Sequence, residues 1–242
     1  MRVLLIDRDE IVAHKLRAAL KSESYVCNWT TGGEDGVQIA KMYEFDIILL
    51  ADVLTDLTGQ AVLQHLRDGG VDTPVLFMSE SDKPERKIDI LDAGADDDLT
   101  KPVHPGEVIA RINAIVRRAK GFSSPTVTVG PLTLNLSAKM VSVGGMPLPL
   151  SAKEYSLLEL FALRRGKVVT RDCILNHLYD ARDEPDAKII DVYMCKVRKK
   201  IAAATGGETY INTVWGRGFV FDDMAVETAP AAKPAARAKK AA

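Results

Sequence analysis

Cysteine is scarce, with only Cys27, Cys173 and Cys195 in 242 residues. An odd number with no short metal-ligand spacing argues against a disulfide framework and a zinc centre, and fits a reducing cytoplasm. No apolar run approaches the ~18 residues a membrane-spanning helix needs. The chain opens directly on a strand pattern, so neither a span nor a signal peptide is expected. Nowhere does a nucleophile pattern with a base, which ranks enzyme activity far below binding, and no cofactor or metal is expected. Large overall charge is missing too, the formal net charge being −1.

That near-zero total hides a division. Residues 1–120 hold 15 Lys and Arg against 21 Asp and Glu, whereas residues 121–242 hold 17 against 12. The length suits two domains, each with its own core, and the charge asymmetry suggests that only the second meets nucleic acid.

In the acidic half, short apolar runs at Arg2–Ile6, Tyr25–Trp29, Asp46–Leu50, Pro74–Met78 and Asp97–Thr100 alternate with helical patterns at Glu10–Lys21, Gly33–Tyr43, Gly59–Asp68, Pro84–Ala93 and Pro105–Arg118. Five strands alternating with five helices predict a doubly wound α/β domain with a five-stranded parallel sheet. Its functional crevice lies beyond the carboxyl ends of the strands. Those ends carry Asp7, Arg8 and Asp9, then Ala51 and Asp52, then Ser79, then Lys101-Pro102.

The basic half is organised around Glu184–Phe221. Five cations (Lys188, Lys196, Arg198, Lys199 and Lys200) fall within thirteen residues. Ile190, Met194, Val197 and Ile201 recur at helical spacing as a core stripe, leaving Lys188, Val192, Cys195, Lys196 and Lys199 on the opposite face. The hairpin TVWGRGFVF follows, with Gly216 and Gly218 permitting a tight turn, Trp215 and Phe219 expected to anchor it, and Arg217 projecting. A helix for the major groove and a basic hairpin for the next groove are what a reader of double-stranded DNA requires. Upstream, AKGFSSP (119–125) reads as a linker. Alternating runs in 127–150 read as a small antiparallel sheet. Ser151 with Glu154 makes a capping box for a helix 152–164, a short helix follows at 171–179, and the loop 180–185 leads into the basic helix. The tail from Glu227 has no apolar period, cannot bury a core and is expected to be disordered, its cations adding at most non-specific phosphate attraction.

Taken together, these features resemble the bacterial response regulators of the OmpR/PhoB class, with a flavodoxin-like receiver at 1–118 and an α+β winged-helix effector domain at 126–224, followed by a tail at 225–242. The stretches LNHLYD (175–180), DEP-x-x-KIIDV (183–192) and TVWGRG (213–218) are similar nearly word for word to the cell-cycle regulators of alphaproteobacteria within that class. The resemblance implies a pocket built from Asp7, Arg8, Asp9, Ala51, Ser79, Asp98 and Lys101, and also departures within it. Ala51 stands at the phosphoacceptor position, Arg8 replaces the second metal-binding acid, Thr55 replaces the loop proline and Asp98 the switch aromatic. Asp52, one residue further, is expected to face the other way. A receiver that no longer takes phosphate is therefore expected, with Arg8 either filling the cation's place against Asp7, Asp9 or Asp98, or pointing to solvent. The resemblance further implies a homodimer through Lys87 with Glu107 and Asp97 with Arg111, around Ile88, Leu91 and Ala110. It implies contact with RNA polymerase through Asp180, Arg182, Asp183 and Glu184. The alternative kept open is a receiver still driven by a partner or ligand, with DNA binding secondary.

Overall fold

The computed structural model describes residues 1–179 and 186–222. Its first part alternates β1 (Arg2–Ile6), α1 (Glu10–Ser22), β2 (Val26–Thr30), α2 (Gly33–Met42), β3 (Ile47–Ala51), α3 (Gly59–Asp68), β4 (Val75–Ser79), α4 (Pro84–Asp92), β5 (Asp97–Thr100) and α5 (Pro105–Ala119). The sheet is wholly parallel in the order β2-β1-β3-β4-β5. β1, β3 and β4 are buried along their whole length, because helices cover both faces; hence their unbroken apolar sequences. Asp9, Thr58 and His104 cap α1, α3 and α5 with their side chains. Gly32 before α2 has no side chain to do so, and Asp56 caps that helix from across the pocket loop, accepting from the N–H groups of Gly33 at 2.6 Å and Glu34 at 3.0 Å. Those bonds hold the Asp56 carboxyl below its usual range. α3 runs so close to β3 that a Cβ on Gly59 would lie 2.3 Å from the Ala51 carbonyl oxygen.

The second part begins with an antiparallel sheet of β6 (Thr126–Val129), β7 (Leu132–Asn135), β8 (Met140–Val143) and β9 (Met146–Pro147). Three helices follow, α6 (Ala152–Leu163), α7 (Arg171–Leu178) and α8 (Lys188–Thr205), and then the hairpin β10 (Ile211–Val214) and β11 (Gly218–Phe221). This is a winged helix. The expected capping box forms, Ser151 accepting from the Glu154 N–H while the Glu154 carboxylate accepts from the Ser151 N–H. α6 is buried on every side from Glu154 to Leu163. α8 buries the predicted stripe, Ile190, Met194, Val197 and Ile201 each being at most 2% exposed, and ends at Gly206 in the left-handed conformation, φ 80°. The buried apolar side chains of the two parts form one contiguous cluster.

Candidate nucleic-acid interface and strand-end pocket

Asp7 lies at the carboxyl end of β1, fully buried. Its Oδ1 accepts from the Asp9 N–H at 2.9 Å, and its Oδ2 sits 3.1 Å from Lys101 Nζ, which also reaches Glu80 at 3.3 Å. Arg8 points to solvent and makes no ion pair among the described residues, so the expectation that it fills the cation's place is corrected. Asp9 is not its partner either, because that carboxylate caps α1 through Ile11 and Val12. The cation facing Asp7 is Lys101.

Next to this pair β3 ends on the fully buried methyl of Ala51. Asp52 turns toward α4, where Arg86 holds its carboxylate at 2.7 Å and reaches Gln60 at 2.6 Å. Ser79, at the end of β4, donates its hydroxyl to Asp98 Oδ2 at 3.0 Å. Among the described residues Asp98 Oδ1 is buried without a hydrogen-bond partner. Burial pushes the Asp98 carboxyl up, against the Ser79 bond and the nearby Lys87 ammonium. The pocket thus holds an internally paired lysine, an internally bonded serine and, where β3 ends, a methyl in place of a carboxylate.

On the α8 face, Lys188, Val192, Cys195, Lys196 and Lys199 are all exposed among the described residues. The Lys188 N–H donates to the Asp186 side chain at 2.9 Å, giving one of the helix's unpaired first-turn N–H groups a partner. Two of the predicted contact cations belong elsewhere. Arg198 donates to the Ile211 carbonyl at 3.0 Å and Thr213 Oγ1 at 2.9 Å and lies over the Phe219 ring, tying α8 to the hairpin. Lys200 donates to the Pro149 carbonyl at 3.0 Å and Glu154 Oε2 at 2.7 Å, bracing α8 against the start of α6. Arg217 projects at the hairpin tip as expected. Trp215 is corrected: it does not anchor the turn but is 80% exposed beside Arg217, while Phe219 alone is buried. The signal was in the spacing, since strands ending at Val214 and resuming at Gly218 leave residues 215–217 in the loop.

Residues 3–113 match the family described as response regulator receiver domain, and residues 145–221 the family described as transcriptional regulatory protein, C terminal. The cell cycle response regulators CtrA of Brucella ovis and of Brucella abortus are each 48% identical to this chain over 227 residues, which is 94% of this chain and 98% of theirs. The chain is an OmpR/PhoB-type response regulator. The response regulator DrrB of Thermotoga maritima has a solved structure that aligns at 25% identity over 91% of this chain and 98% of its own, with a TM-score of 0.45. Such regulators are transcription factors and not enzymes, and among the described residues no helix is long and apolar enough to cross a membrane.

In this response regulator the α4–β5–α5 face exposes Ile88 (57%) and Leu91 (45%), with Ala110 also exposed. The charges expected to pair across a dimer are arranged differently. Arg111 closes within its own chain on Asp97 at 2.6 Å and on Glu107 at 2.8 Å, because the three side chains share one edge of α5 and β5; Lys87 is half-buried on the Asp98 side of α4. Asp180, Arg182, Asp183, Glu184 and the tail lie outside the described residues.

Proposed function

We propose that this chain is a CtrA-like, sequence-specific DNA-binding transcription regulator that acts as a dimer and independently of receiver phosphorylation. The single observation carrying the last point is the end of β3: a buried methyl stands at Ala51, and the adjacent carboxylate, Asp52, is held by Arg86 at 2.7 Å. Phosphoryl transfer needs a carboxylate nucleophile beside a bound cation, and neither neighbouring group is free to supply one. The division is receiver 1–118, linker 119–125, winged helix 126–224 and tail 225–242. α8 enters the major groove with Lys188, Val192, Cys195, Lys196 and Lys199, and Arg217 reaches the adjacent minor groove. Dimerisation runs through the apolar patch of Ile88, Leu91 and Ala110, with Lys87 at its edge, and RNA polymerase is met through the 180–184 loop.

The test is binding-site selection from random duplexes by the unmodified protein. Enrichment of one motif as paired half-sites about one helical turn apart supports the reading. Binding with no enrichment contradicts it.

A further inference from the structure

The receiver and the winged helix meet on a surface apart from the strand-end pocket. The receiver contributes the opposite end of its sheet, where Glu23, Tyr25, Glu44 and Asp46 precede β2 and β3. Lys139 comes from the turn before β8 and holds a left-handed φ of 52° that a lysine rarely adopts. Its ammonium pairs with Glu23 at 2.7 Å, also donates to the Glu23 carbonyl, and lies 4.3 Å from the centre of the Tyr25 ring. Arg164, just past α6, pairs with Glu44 at 3.3 Å. Between these rim pairs, His177 of α7 places Nδ1 3.7 Å from Asp46 Oδ2, and that same oxygen accepts from the Arg2 N–H at 2.8 Å. Asp46, His177 and Glu159 of α6 are all more than nine-tenths buried.

We propose that this surface is an interdomain latch that fixes the two domains in one arrangement with the DNA-reading face outward. It rests on the reading of phosphorylation independence and supplies what that reading lacks, namely what sets the domain arrangement when phosphate does not. An interface with buried ionisable groups admits few alternatives, because sliding it strands a carboxylate or an imidazole without its partner. Lys188, Lys196, Lys199 and Arg217 stay exposed in the latched form, so the resting protein is competent to bind DNA.

Limited trypsin digestion of the full chain tests this, because cleavage within the 119–125 linker tracks the population of the opened form. Lys139→Glu sets two carboxylates together and should speed linker cleavage about fivefold, and Arg164→Glu should act in the same direction. Lys139→Glu combined with Glu23→Lys should return the rate most of the way to that of the wild type. All three variants should bind a single DNA site as the wild type does. Linker cleavage at the wild-type rate in both single variants, or no recovery in the swap, would overturn the latch; so would loss of single-site binding in a variant that melts normally. Phosphate incorporation by the wild type would sink phosphorylation independence and leave the digestion result standing, so the two ideas fail separately.

Discussion

Lys196→Ala and Lys200→Ala remove the same side chain four positions apart on one helix, and the structure predicts opposite consequences. Lys196 is exposed in the middle of the α8 face, within reach of a base edge once the helix lies in the major groove. Its removal should cost about 1–3 kcal/mol of specific binding, roughly 5- to 150-fold in affinity, and should blur the preference at one base position while leaving melting unchanged. Lys200 is engaged with the Pro149 carbonyl and Glu154 Oε2. Its removal deprives a carboxylate that is only 4% exposed of one partner, while the bonds at Ser151 remain. That should cost about 1 kcal/mol of stability, the lower end for an under-satisfied buried acceptor, with DNA affinity near that of the wild type. Burial pushes the Glu154 carboxyl up, but the Lys200 and Ser151 bonds outweigh it and hold it below its usual range. The folded form therefore binds its proton less readily than the unfolded chain, so this stabilisation is present above the ordinary carboxylate range and fades as pH falls through the lowered value. Fluorescence anisotropy on a selected duplex and on single-base variants, at two salt concentrations, separates the cases when paired with thermal melts. Substituting a lysine that contacts only phosphate, as expected for Lys188 or Lys199, should weaken all sequences alike and reduce the salt slope by about 0.9. Equal loss of binding in Lys196→Ala and Lys200→Ala would refute the docking described here.

Three further outcomes follow from other parts of the structure. Ile88→Glu places a charge in the exposed Ile88 and Leu91 patch and should shift sedimentation from dimer to monomer, by about 1–3 kcal/mol of association; an unchanged sedimentation coefficient would remove this face as the interface. Asp98→Asn keeps an acceptor for Ser79 without a buried charge. Because the folded protein holds the Asp98 proton more tightly than the unfolded chain, the native carboxyl contributes most at low pH and loses that contribution as pH rises, so the asparagine variant should melt roughly 2–4 °C higher at pH 8 and no higher at pH 4. Burial above all pulls the His177 imidazole down to about 3, so protonation of the unfolded chain destabilises the fold progressively as pH falls from 6.5 toward that value; His177→Gln should flatten the melting profile between pH 6.5 and pH 5, and an equally steep profile would count against the buried neutral imidazole.

The doubly wound domain was legible because β1, β3 and β4 are apolar throughout and the helices between them repeat at helical spacing; each element lies within about two residues of its sequence-based expectation. The α8 stripe and the Ser151 capping box were legible for the same reason, being local patterns. What could not be read depends on partners distant in sequence. Arg198 and Lys200 look like their neighbours Lys196 and Lys199 until the hairpin and the α6 cap are placed beside them. Arg8 was open to two readings because sequence does not fix a side chain's direction in a loop, and Lys101 proved to be the cation that reaches Asp7. Nothing in the separate segments announced that Asp46, Glu159 and His177 would be buried together, since the contact joins residues over 100 positions apart.

Phosphorylation independence is tested most directly by intact-mass measurement after incubation with acetyl phosphate and Mg²⁺, alongside DNA affinity before and after. The wild-type protein should gain no phosphoryl group and bind equally in both conditions. Ala51→Asp should remain unlabelled as well, because Ser79 stays bonded to Asp98, Arg8 brings no second acid to the cation site, and Lys101 is shared with Asp7 and Glu80. A stable phosphoryl adduct on the wild-type chain, or tighter DNA binding after the treatment, would contradict the account.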